Sequence, residues 1–139
     1  MNRGSALTAA ALLVAAVALS SCANGVAVPG QYLVAQNLMN TSRAFLTSAS
    51  NEVIAGNIRE AQLDYRNAGR DCRPITGLAS GPDRQINQLL AAFASDCASD
   101  ADTQTRFWAN PSAGSPAGND AAVFADIRNV NARWRLLGY

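Results

Sequence analysis

Apolar positions divide the 139-residue chain into one unbroken run and four periodic stretches. Residues Ala6 to Leu19 carry no charge and are nearly all Ala, Leu or Val. From Gln31 to about Ala49, Val34, Leu38, Phe45 and Ala49 recur at helical spacing, with Leu33 and Met39 widening the stripe. The weak helix formers Asn40-Thr41-Ser42 and Thr47 to Asn51 predict an end or bend near Ser50. A second stretch, Glu52–Gly69, sets Ile54, Ile58, Ala61 and Tyr65 on one face and Arg59, Glu60, Asp64 and Arg66 opposite. The loop Arg73–Pro82 follows, marked by Pro and Gly. Pro82 and Asp83 then open the clearest helix, with Ile86, Leu89, Leu90, Phe93 and Cys97 on its apolar face. Its pattern runs on raggedly through Asp102 towards Phe107 and Trp108. After the Gly/Pro/Ser loop Asn110–Asn119, Val123, Ile127, Val130, Trp134 and Leu137 stripe a last helix, capped by Asn119 or Asp120 and ended by Gly138. No alternating run suits a sheet, so the expected fold is all-α, a small bundle of about four helices in one domain over residues 31–139.

The unbroken run has a different meaning. Arg3 precedes it and the small residues Ser20 and Ser21 follow it, which is the layout of a secretory signal peptide. The run is shorter than the roughly 20 residues of a membrane-spanning helix. Leu19-Ser20-Ser21-Cys22 resembles the lipobox of bacterial lipoproteins: a branched apolar residue, two small ones, then Cys. That resemblance covers the leader alone and implies that residues 1–21 are removed and Cys22 is acylated. It further implies a domain held on the extracytoplasmic face of the cell membrane by its lipid, with residues 22–30 as a short tether. One acyl chain binds a bilayer marginally; two or three anchor it.

Composition narrows the rest. Without Arg3, ten Arg balance ten Asp and Glu, so no bulk field draws the domain to nucleic acid. Lysine is absent and Ala abundant, a composition similar to that of small lipoproteins of high-GC Gram-positive bacteria such as mycobacteria. With Cys22 taken by lipid, Cys72 and Cys97 remain as an even pair in an oxidising compartment, and a disulfide is the expected outcome. The alternative, a thiolate metal site, lacks both His and CxxC spacing. A simple tight hairpin would leave the two cysteines about 20 Å apart, at 1.5 Å per residue. A bridge therefore requires residues 73–82 to pack back on the bundle.

Catalytic chemistry finds little support. There is no histidine, which removes the commonest general base and every Ser-His-Asp or Cys-His arrangement. No nucleotide-binding, zinc-protease or calcium-loop motif is present. Asp96, Asp100 and Asp102, and Glu60 with Asp64, read as solvated helix faces; a carboxylate hydrolase would need Asp96 or Asp100 across a cleft from another carboxylate. Arg66, Arg70 and Arg73, at the end of the second helix, suit either surface ion pairs or anionic headgroups and wall polymers. Trp108 is either core or a partner anchor. The expectation is a non-enzymatic interaction or accessory module without a cofactor or metal, whose partners are the membrane and an envelope protein or lipid. The alternative is a carrier or sensor that holds an apolar ligand between its helices.

Overall fold

The computed structural model describes residues 26–111 and 118–139; the leader, Cys22 and most of the loop Asn110–Asn119 lie outside these residues. Four long helices form the bundle: α1 Gly30–Ala55, α2 Ile58–Cys72, α4 Arg84–Ala109 and α5 Asp120–Leu136, with the single-turn α3 Ile75–Leu78 between α2 and α4. There is no strand among the described residues. Contacts between consecutive long helices join the later part of one to the earlier part of the other. Ser48 meets Asp64, Gln62 meets Thr105, and Arg133 meets Asp83. The topology is therefore up-down-up-down.

The first boundary departs from the expectation. α1 does not stop near Ser50 but runs 26 residues to Ala55. Its mid-helix hydroxyls are satisfied locally, Thr41 and Ser42 both donating to the Leu38 carbonyl (3.0 and 2.7 Å). The helix ends at Gly56, which takes φ 82°. There the Gly56 N–H donates to Val53 O and the Asn57 N–H to Glu52 O, a Schellman closure that glycine permits without strain. Glu52 and Val53 thus belong to α1, and Ile54 is 82% exposed instead of lying on the second helix's inner face.

The inner stripe of α1 is also rotated from the expected one. Tyr32, Ala35, Met39, Ser42, Leu46 and Ala49 are buried, whereas Val34 is half exposed. Weighting large aliphatics over Ala and Ser put the stripe one residue off. On the other helices the periodicity holds: Ala61 and Tyr65 of α2, Ile86, Leu90, Phe93 and Cys97 of α4, and Val123, Ile127, Val130 and Trp134 of α5 form one continuous core. Asp83 caps α4 by accepting from the Ile86 N–H (2.7 Å), and Asn119 caps α5 by accepting from Ala122 (3.0 Å).

Cys72 and Cys97 are joined, their Cα atoms 6.2 Å apart. The chain after Cys72 folds back over the bundle, as such a bridge requires. Ile75 is fully buried, Leu78 packs on the core, and Gln31 donates to the Leu78 carbonyl (3.2 Å). Because α2 is only 15 residues long, α3 covers the part of α1 that α2 leaves bare.

Residues 26–28 and the C-terminal Tyr139 gather at this end of the bundle, the base. Trp134 packs on Tyr32 and Tyr139, with ring centroids 5.9 and 5.2 Å away. Val28 lies against the core, and Val26 sits beside Gly138. No helix among the described residues is long and apolar enough to cross a membrane.

Candidate functional site

The most unusual chemistry lies where α4 meets the start of α5, at the end of the bundle away from the base. Extending the α4 stripe beyond Cys97 by its own 3- and 4-residue steps brings Asp100 and Gln104 inward, and both are buried. Asp100 is 4% exposed, so the reading of this residue as part of a solvated face is corrected. Both of its carboxyl oxygens are shut off from solvent and make no well-formed hydrogen bond, the Asn119 N–H and the Gln104 amide being the donors that face it. Its contact is with the carboxyl of Asp120, the first residue of α5.

Two carboxyl groups can meet in this way only with a proton between them. Burial, followed by the contact with Asp120, pushes Asp100 up to about 8. Asp120 is the better solvated of the two. It accepts from the Tyr65 hydroxyl of α2 (3.1 Å) and, at longer range, from the Gln104 amide (3.5 Å). Burial and the adjacent carboxylate in turn raise the Tyr65 hydroxyl far above its ordinary range, so it stays a donor.

The next turn carries a second and more open acid pair, with Asp96 exposed and Asp126 part-buried. Asp96 of α4 faces Asp126 of α5, and burial together with that contact raises Asp126 to about 6. One oxygen of Asp126 is likewise buried without a well-formed hydrogen bond. Two acid pairs thus stand in succession along the α4–α5 seam, and no guanidinium is among the groups acting on either. Asp102, the third member of the sequence cluster, points elsewhere and pairs with Arg73, the residue after α2.

A small depression of about 160 Å³ opens over the seam, lined by Asp96, Ser99, Asp100, Thr103, Gly118, Asn119 and Ala122. Gly118 closes its floor: a Cβ there would fall 2.6 Å from both Asp100 Oδ1 and Gln104 Nε2. Only glycine lets the chain pass this close before it turns into α5. The carboxylate pairing that a hydrolase would need is therefore present. The Asp100 oxygens, however, lie beneath the chain and not on a cleft wall. Among the described residues, no group of three or more Asp, Glu, Cys or His is placed to hold a metal ion.

The residues singled out in the sequence fall elsewhere and do not converge. Arg70 pairs with Asp71 (3.1 Å) and lies over the Phe45 ring, 6.0 Å from its centroid. Arg66 is exposed and makes no ion pair among the described residues; it borders a shallow surface depression with Arg59, Glu60, Gln62 and Leu63. Trp108 is half-buried, packs on the core, and donates its indole N–H to Gln104 Oε1 (3.1 Å). Its edge meets Phe107, with the centroids 4.8 Å apart.

Sequence reasoning missed Asp120 and Asp126 as partners of Asp100 and Asp96. The available signal was the α4 stripe itself, which reaches Asp100 if followed three residues past Cys97.

No family model, curated protein or solved structure matches this chain.

Proposed function

We propose that this protein is a lipid-anchored module of the bacterial cell envelope, non-enzymatic, that presents a disulfide-braced helical bundle on the extracytoplasmic face of the membrane. The observation that carries this reading is Leu19-Ser20-Ser21-Cys22 standing in register behind the Ala6–Leu19 run. Cysteine arithmetic supports it. Of three cysteines, Cys72 and Cys97 occupy each other, which leaves the lipobox Cys22 as the remaining thiol.

The tether is shorter than the sequence suggests, because Val26 already lies beside Gly138 and Val28 packs on the core. Cys22 stands four positions before Val26, a reach of at most about 14 Å. An acylated Cys22 would hold the base of the bundle against the bilayer and direct the α4–α5 acid seam outward. The module would work close to its own membrane, on an envelope protein or lipid. A catalytic role is disfavoured by the enclosure of the Asp100 oxygens and the absence of histidine.

The test is the intact mass of native protein extracted in detergent, before and after reduction and alkylation. The expected mass is residues 22–139 plus two or three acyl chains, with two alkylations appearing only after reduction. A soluble chain without acyl mass overturns the anchor. Alkylation of Cys72 and Cys97 without reductant overturns the oxidising compartment.

A further inference from the structure

The geometry points to a proton-held latch: we propose that the α4–α5 seam stays closed while a proton is shared within the Asp100–Asp120 and Asp96–Asp126 pairs, and that loss of these protons frees the entry into α5. No group of the seam belongs to residues 1–25, so the latch stands or falls independently of acylation at Cys22.

Three structural facts carry it. First, no cation is among the described groups that act on Asp100. From α5 it faces Asp120, which also accepts from the Tyr65 hydroxyl of α2; from α4 the Gln104 amide and from the chain entering α5 the Asn119 N–H favour its ionised form, but burial and Asp120 outweigh them. One turn earlier on α4, Asp96 faces Asp126 of α5. Arg73, just after α2, is engaged by Asp102 instead. Residues 111–119 contain no ionisable side chain, so the connecting segment supplies no counter-charge.

Second, both oxygens of Asp100 and one of Asp126 are closed off from solvent without a well-formed hydrogen bond. A buried carboxylate in that state is costly, and a carboxyl that donates its own proton to a neighbouring carboxylate removes the cost. Third, the seam is pinned where it would have to give way. Gly118 lies directly over Asp100 Oδ1 and Gln104 Nε2, and Asp120 is the first residue of α5. Two negative charges at this point repel across the contact that sets where α5 begins. The remainder of α5 is held by Val123, Ile127, Val130 and Trp134 in the core, so the response is confined to its first turns. The device would convert a fall in external pH into a closed, rigid outer end, and a rise into an open one.

The experiment is hydrogen exchange at the amides of residues 118–124 in the full mature chain, from pH 6 to pH 9, corrected for intrinsic exchange. In parallel, the side-chain carboxyls of ¹³C-aspartate-labelled protein are titrated by NMR. Protection should fall by about tenfold per pH unit as pH rises towards the Asp100 midpoint and level off above it, while amides of α1 and α2 keep theirs. Asp100→Asn supplies a permanent donor to Asp120 and should abolish the pH dependence above about pH 7, beyond the range in which Asp126 titrates, with the seam closed. If Asp100→Asn fails to fold, Asp120→Asn and the wild-type titration decide the matter. The proposal is overturned if the Asp100 carboxyl titrates below pH 5, or if either variant keeps the wild-type slope.

Discussion

Along a single interface, α4 and α5 meet with opposite electrostatics at their two ends. At the base, Asp83 takes a two-pronged contact from Arg133 (3.2 and 2.7 Å) and also caps α4. The guanidinium, reinforced by the Ile86 N–H, holds the Asp83 carboxyl below its ordinary range. At the outer end, four carboxyls face one another in two pairs with no guanidinium among the groups acting on them. Both carboxyl oxygens of the first contact are partnered, whereas three of the second make no well-formed hydrogen bond. The difference teaches where the fold is rigid by construction and where its closure depends on solution conditions. An ion pair in place at neutral pH needs nothing from the solvent; a carboxyl pair needs a proton.

The largest effect should come from removing what makes the base rigid. Tyr32 is fully buried, its hydroxyl donates to Asn87 Oδ1 (2.8 Å), and the same hydroxyl accepts from the Asp83 N–H (2.9 Å). Tyr32→Ala should cost about 3–5 kcal/mol in urea unfolding, as for other large aromatics cut to Ala. It should also raise hydrogen exchange at the base towards that of the outer end. Next, the Cys72–Cys97 bridge spans 25 residues. Its loss in the Cys72→Ala, Cys97→Ala double variant should cost about 3–4 kcal/mol by loop-closure entropy. That loss should be equal at pH 6 and pH 9, because neither cysteine touches the seam.

The third prediction sets the two ends against each other through pH. The folded-state value of Asp100 is raised, so its contribution to stability is present in full below about pH 4 and is lost as pH rises through about 8. Asp126 behaves likewise, with its loss complete as pH rises through about 6. Asp100→Asn should therefore make the protein more stable than wild type at pH 8.5, by on the order of 1–3 kcal/mol, the usual penalty of an unpaired buried polar group. Thermal unfolding from pH 5 to 9 checks this, and a wild type no less stable at pH 8.5 than at pH 5 would refute it.

The smallest effect has the opposite sign and lies at the base. Asp83 is depressed, so its contribution exists above about pH 4 and disappears as pH falls through the folded-state value. Arg133→Gln should move the acid unfolding midpoint up by less than about one pH unit and leave the alkaline limb unchanged. A change on the alkaline limb would mean that the two ends are coupled through α5.

Much of this architecture was legible in the residues. The stripes of α4 and α5 named their buried faces almost position for position, because those helices use Ile, Leu, Val, Phe and Trp where they face the core. α1 was less legible: its inner face includes Ala35, Ser42 and Ala49, whose small side chains let the neighbouring helix approach but carry little hydrophobic signal. The boundary between α1 and α2 was misplaced for a related reason. Weak helix formers near Ser50 suggested a stop, but packing overrode propensity, and the stop came at the residue that can adopt φ 82°.

By itself, the sequence determined the helical class, the even pairing of Cys72 with Cys97 once Cys22 was set aside, and the expectation of export. Each rests on residue type and spacing along the chain: apolar period, cysteine count, and the order of charge, apolar run and lipobox. Only the tertiary structure decided that Asp100 is buried, that it meets Asp120 twenty positions away, and that Asp96 meets Asp126. A carboxylate's charge state depends on what stands opposite and how much water remains, and neither quantity is written in the local sequence. Helix α4 carries Asp96, Asp100 and Asp102 within seven residues; packing alone pairs the first with an acid, buries the second and gives the third an arginine.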